Sequence, residues 1–461
     1  MEATESARDD KSFLGTEPLG RLMARLAVPT MVAQLINLLY SIVDRIFIGH
    51  IAGVGTDALT GVGVAFPLIM LVSAFSAFAG AGGAPLASIA LGRRDRTHAQ
   101  RILQNTVALL LAFAVLLLAV IYPLREPLLL LFGASGATLP YASSYLSIYL
   151  TGTFFVMAYL GLNPFVLAQG NSKRALAAMA SGALLNIALD PVFIFVLGWG
   201  VQGAAAASVV AQGVSALVTV SYFRNANSAL RLTARLERPS GAIAGKILAL
   251  GGAPFFMQAT ESLMIIVLNG TLQAYGGDMH VAALTILQSM MQLLFVPAQG
   301  LTQGVQPIIS YSYGAQLFDR VRSTCKRLVG TAFALEGTCA LLVILFPATV
   351  AGAFTNDAAL VGLVGSVAPV FFAGMTLFGI QVAVQSIFMG LGQSKFALIV
   401  AFTRKLVLLI PLALVLPQFM GAAGVYVAEP VSDVLSVTLC SILLLANFKK
   451  LLNAQAMEQV G

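Results

Sequence analysis

Apolar stretches close to 20 residues long recur through nearly all of this 461-residue chain. A run of that length crosses the hydrocarbon core of a bilayer as one helix. Inside a bilayer only helices and closed barrels satisfy their own backbone groups. The runs are continuous rather than alternating, which selects helices. Composition agrees, with 58% hydrophobic and only 10% charged residues and a mean hydropathy of +0.90. Soluble domains carry about a quarter charged residues, so a soluble fold, a coiled coil and a disordered chain are excluded. Cys325, Cys339 and Cys440 are odd in number and confined to the second half, which suits apolar packing and rules out a disulfide framework.

Twelve spans are expected, near 24–49, 58–88, 100–122, 138–163, 174–197, 203–223, 243–270, 281–311, 325–347, 360–388, 396–416 and 422–446. Residues 1–18 read as an acidic polar tail, since a secretory signal needs a basic start. The basic residues fall in alternate loops: Arg93, Arg94, Arg96 and Arg101; Lys173 and Arg174; Arg224, Arg231, Arg235, Arg238 and Lys246; Arg320, Arg322, Lys326 and Arg327; Lys395. Opposite them stand only Arg45 and Arg125. By the positive-inside rule both termini are expected in the cytoplasm, with the chain in the inner membrane. Topology accounts for the net charge of +7, so no nucleic-acid partner is expected.

The chain is written twice. Gly82, Pro85, Ser88 and Gly92 match Gly304, Pro307, Ser310 and Gly314 at an offset of 222. Gly170-Asn171-Ser172-Lys173 matches Gly392-Gln393-Ser394-Lys395 at the same offset. Pro29 pairs with Pro254, and Gly203 with Gly424, at nearly that spacing. A six-helix offset preserves orientation, so the halves are parallel repeats about an axis along the membrane normal. The expected division is a tail at 1–18, a first lobe at 19–223, a linker at 224–242, a second lobe at 243–446 and a tail at 447–461.

Polar residues inside spans fall at helical spacing, which places them on shared faces. Span 1 carries Gln34, Asn37, Ser41 and Asp44, span 4 Tyr145 and Tyr149, span 5 Asn186 and Asp190 followed by Pro191, and span 6 Ser208, Gln212 and Ser215. The second half has Gln258 and Glu261, Gln288 and Gln292, Gln381 and Gln385, and Glu429 and Asp433, with Glu336 in span 9. Glutamines serve equally as interhelical hydrogen-bonding groups or cavity lining. Carboxylates are different: an Asp at a helix centre costs about 2.5–3.5 kcal/mol on insertion scales. Asp44 and Asp190 have only Arg45 deep in their half, so they are candidates for binding a coupling ion. Two carboxylates with amide and hydroxyl oxygens suit a proton or Na⁺ at Asp44, Asn186 and Asp190, and residue type does not choose between them. In the second half Arg404 and Lys405 are placed to neutralise Glu261, Glu336, Glu429 and Asp433, if span 11 carries them inward.

These segments resemble the multidrug and toxic compound extrusion (MATE) transporters over nearly the whole chain. The resemblance is carried by Ala27-Val28-Pro29 with Ile42 through Gly49, and most specifically by Asn186-Ile187-Ala188-Leu189-Asp190-Pro191. It implies an all-α membrane protein of two six-helix lobes forming a V around a central cavity. It also implies an antiporter exporting organic cationic or amphipathic compounds in exchange for H⁺ or Na⁺. The ion site carried over is Asp44, Asn186 and Asp190, with Ser208 where Thr is common. The cavity candidates are Gln34, Asn37, Tyr145, Asn163, Gln212, Glu261, Gln288, Gln292 and Gln385. No cofactor beyond the coupling ion is implied, and a monomer in the lipid bilayer is expected. The acid that some branches carry in span 10 is missing here, where Gln381 and Gln385 stand. That favours an ion site in the first lobe.

A lipid-linked oligosaccharide flippase of the related superfamily is the alternative, disfavoured by the few deep cations. A major facilitator would need a different order in Gly92-Arg93-Arg94-Asp95-Arg96. An enzyme is not expected, since His50, His98 and His280 lie far apart and no phosphate-binding loop is present.

Overall fold

The computed structural model describes residues 13–51, 54–225, 228–232, 239–354 and 357–457. The first twelve residues and the linker's Arg235 and Arg238 lie outside the described residues. Ten helices are long and apolar enough to cross a membrane, and two bent pairs bring the total to twelve. In order they are α1 Leu19–Gly49, α2 Gly55–Gly92, α3 Arg96–Leu131, α4 Leu139–Thr151 with Thr153–Ala168, α5 Ser172–Val196 and α6 Val201–Arg224. The second half holds α7 Gly241–Gly277, α8 Met279–Gly314, α9 Phe318–Leu345, α10 Ala358–Phe371 with Met375–Gly390, α11 Ser394–Met420 and α12 Ala422–Met457. The last helix runs past the expected end of span 12 and takes in Lys449 and Lys450.

The repeat extends to irregular features. α4 bends by 59° at Gly152 and α10 by 53° at Ala373-Gly374. A side chain at Gly152 would press on Val209 of α6, and one at Gly374 on Pro430 of α12. Both contacts relate by the repeat offset, so a close approach of the equivalent helix accompanies the break in each half. Gly170 and Gly392, at φ of 74° and 70°, occupy equivalent turns that an L side chain resists. α5 widens into a π-helical turn at Val192–Val196, directly after Pro191, and α11 does so at Thr403–Leu409. Proline lacks the N–H that would bond the carbonyl four residues back, which favours such a widening.

One apolar core is built from the first half, Ile48 to Leu230, and takes in Ile247 of α7; a second lies within α7 to α12. A third joins the halves, with Leu22 and Leu26 of α1 packed on Val305, Ile308 and Val321. The closest approaches between halves gather toward the end marked by the Lys/Arg loops. Side chains at Gly82 and Gly251 would collide with the backbones of Ile247 and Phe78, and one at Gly314 with that of Ile89. Thr30 Oγ1 donates to the Gly300 carbonyl at 2.6 Å, and the Phe78 and Phe255 rings stack at 4.6 Å. Described linker residues are tied to the first half: Gln169 Oε1 accepts from Ser228 Oγ at 3.0 Å, and Asn105 Oδ1 from the Ser240 N–H at 2.8 Å.

A helical turn, Phe13–Thr16, clasps the same end. Phe13 lies against Gly170, and Leu14 is buried in the core that joins the halves. Arg320 of α9 donates to the carbonyls of Leu14 and Glu17 at 3.0 and 2.6 Å. Arg25 of α1 covers the Phe13 ring at 4.7 Å and bonds Glu17 Oε2 at 3.0 Å.

Candidate ion-binding pocket

In the first half α5 presents Asn186 and Asp190 one turn apart, and both are buried. Asn186 Nδ2 donates to Asp190 Oδ1 at 3.2 Å and lies 3.5 Å from Ser208 Oγ of α6. Asp44 approaches from α1, close enough for the two acids to feel one another's charge. Among the described residues neither acid has an ion pair. Arg45, the neighbouring cation, extends over the Phe66 ring at 5.2 Å from its centroid. Tyr145 and Tyr149 stack on one wall at 6.2 Å, and Gln212 Nε2 donates to the Tyr149 hydroxyl at 3.3 Å.

The buried oxygens without a partner are the chemically telling feature. Those of this pocket are Asp44 Oδ1, Asn186 Oδ1, Asp190 Oδ2 and Gln212 Oε1; Asn163 Oδ1 on α4 is likewise buried without a partner. Buried polar atoms are nearly always hydrogen-bonded. A group of buried acceptors that includes two unpaired carboxylates is therefore suited to a cation or proton. Among the described residues no group of three His, Cys, Asp or Glu side chains could hold a metal ion. The donor set is instead two acids with neutral amide and hydroxyl groups. Tyr40, one turn before Asp44, also belongs to the pocket, within reach of Asp44, Asp190 and Tyr149. Its aromatic character hid it among apolar neighbours, although the spacing to Asp44 places it on the same face.

The remaining candidates are dispersed. Gln34 Nε2 donates to Gln303 Oε1 at 2.9 Å, joining the halves. Asn37 and Gln292 are exposed, and Gln288 Nε2 is buried without a partner. In the second half Glu261 forms an ion pair with Lys405, and Gln385 Nε2 lies 2.8 Å from Met257 Sδ. Arg404 Nε and Nη2 donate to Asp433 Oδ1 and Glu429 Oε1 at 2.6 and 2.7 Å. α11 thus does carry both cations inward. Glu336 is left out of this pairing: it is fully buried, and neither carboxylate oxygen has a hydrogen bond.

The fold is a helical membrane protein of two repeated six-helix halves, with a cluster of acids held by no ion pair among the described residues in the first. Comparison with known proteins names the class. The family model MatE matches twice, at residues 29–192 and 254–415, so the chain belongs to the MatE family. It is 26% identical to the multidrug export protein MepA of Staphylococcus haemolyticus over 91% of this chain and 92% of that protein. It is 24% identical to MepA of Staphylococcus aureus strain N315 over 90% of each. Among solved structures it is similar to an outward-facing multidrug resistance MATE family transporter, at 25% identity and a TM-score of 0.88, covering 95% of this chain and 98% of that one. It is equally similar to a Pyrococcus furiosus transporter of the MOP superfamily, described as having a binding pocket of reversed polarity, at 25% identity and a TM-score of 0.89 over 96% and 98% of the two chains.

Proposed function

We propose that this chain is a secondary antiporter that exports organic cationic or amphipathic compounds in exchange for H⁺ or Na⁺. The observation that carries the ion coupling is the unpaired acid pair, Asp44 and Asp190, surrounded by the free oxygens of Asn186, Asp190 and Gln212. Export of several drugs is supported by the MepA relatives, which the chain matches over nearly their whole length. The coupling ion enters between Asp44 and Asp190, and α5, with its widened turn after Pro191, is the element that responds. Rocking of the two lobes then exposes the cavity to each side in turn. By the positive-inside rule the basic end is cytoplasmic, and the inter-lobe contacts near it describe a state closed to the cytoplasm.

The flippase alternative gains nothing from Arg404 and Lys405, because acids already pair with both. Purified protein in liposomes, loaded with ethidium as probe, decides the matter under separate proton and sodium gradients. The wild type should move ethidium under one gradient, and Asp44→Asn and Asp190→Asn should fall to the rate of protein-free liposomes. Undiminished gradient-driven movement in Asp44→Asn refutes the coupling role.

A further inference from the structure

The second half holds a charged network that the first-lobe pocket does not use. Its register is informative. With Gly203 matched to Gly424, Ser208 corresponds to Glu429, Gln212 to Asp433 and Ser215 to Ser436. Glu429 and Asp433 therefore stand on α12 where α6 presents two side chains of the first-lobe pocket. Arg404, which joins them, sits in the π-helical turn of α11, as Asp190 sits beside that of α5. Across from them α10 runs past on glycine. A side chain at Gly374 would meet Asp433, and one at Gly379 would meet Cβ of Glu336 at 3.0 Å. Both acids thus flank the same short stretch of α10, just after its bend.

Charge in this network does not balance. Three buried carboxylates, Glu336, Glu429 and Asp433, face one guanidinium, because Lys405 is paired with Glu261. Arg404 satisfies one oxygen each of Glu429 and Asp433. Asp433 Oδ2 and both oxygens of Glu336 are buried without a partner. The charges that reach Glu336 are Asp433 and Arg404, with the Cys339 thiol beside it on α9. α10 contributes the uncharged Gln381, whose Oε1 is also unpartnered. Lys405 and Glu261 act on the network through Glu429 and Arg404. A buried carboxylate in this position must find a hydrogen or a cation. The neighbouring free oxygen of Asp433 offers a second acceptor for a proton.

We propose that Glu336, together with Asp433 and Arg404, forms a second proton-binding site in the second lobe, one that exchanges its proton with the aqueous phase. It extends the antiporter reading but does not depend on Asp44 or Asp190 being the coupling acids.

Infrared difference spectra of the full chain in liposomes, stepped from acid to alkaline pH, test it. Loss of a protonated carboxyl's carbonyl stretch reports the proton leaving. The wild type should lose such absorbance in more than one component. Glu336→Gln should remove one component, and Asp190→Asn a different one. A Glu336→Gln spectrum superimposable on the wild type overturns the proposal. So does a Glu336 component that appears only when sodium replaces potassium, which would make the site one for sodium. If Glu336→Gln does not fold, Glu336→Asp keeps the acid on a shorter arm and should shift that component in frequency. An unshifted component overturns the proposal equally. Should Asp190→Asn leave the spectrum intact while Glu336→Gln does not, proton binding at Asp190 is refuted and this proposal stands; the liposome transport of Asp190→Asn tests the first-lobe reading separately.

Discussion

At the scale of single residues some buried acids are paired and others are not. Glu429 and Asp433 are held by Arg404, whereas Asp44 and Asp190 are held by no cation. Removing one partner from a buried ion pair costs about 3–5 kcal/mol, because the other charge stays buried. Arg404→Gln should therefore lower the thermal stability of the detergent-solubilised protein strongly. Asp190→Asn removes an unpaired charge and keeps the size of the side chain, so its melting temperature should hold or rise while transport is lost. Equal destabilisation by both variants, read by a thiol-reactive dye at Cys325 and Cys440 as they unfold, would refute this contrast. Much of the pocket was legible in the sequence, because Asn186, Asp190, Ser208 and Asp44 stand out as polar groups at helical spacing in apolar runs. Tyr40 did not, because a tyrosine in such a run reads as packing. Glu336 was legible as an acid, but its lack of a partner depends on which way the cations of α11 point, and spacing along one helix does not fix that.

At the scale of elements, the bends are placed by contact with a neighbouring helix. Neither Gly152 nor Gly374 adjoins a proline, so neither reads as a break in the sequence. Each becomes one because α6 or α12 passes too close for a side chain. Gly374→Ala should cost about 1–3 kcal/mol, the usual range for overpacking. Gly365→Ala, in the preceding segment of α10, meets nothing nearer than 3.7 Å and should be neutral or stabilising by up to about 1 kcal/mol. Chemical unfolding of the two variants side by side checks the order. The repeat itself was visible beforehand, since Gly170 and Gly392 need the same left-handed turn and are kept for that reason. The π-helical turn of α11 was not visible, since its proline, Pro411, follows Thr403–Leu409 and does not precede the turn as Pro191 does in α5.

At the scale of the whole molecule, small residues decide how the halves meet. Gly82 and Gly251 interlock α2 with α7, and a methyl group on either has no room in this arrangement. Gly82→Ala should therefore favour separation of the halves at the basic end. A cysteine introduced at Leu86, which faces that junction, should then label faster with a membrane-impermeant maleimide. Unchanged labelling would mean that the interlock does not control closure. Removing the Arg320 side chain should act in the same direction, through loss of the two bonds to Leu14 and Glu17.

The clasp also imposes an order of events during synthesis. The guanidinium that holds the Leu14 carbonyl lies 306 positions later in the chain. Eight helices are made before Arg320 exists. The Phe13–Thr16 turn can therefore dock in this way only after the first half, α7, α8 and the start of α9 have been made. The turn waits on a residue of the second half, and its burial marks a molecule whose two halves have already met.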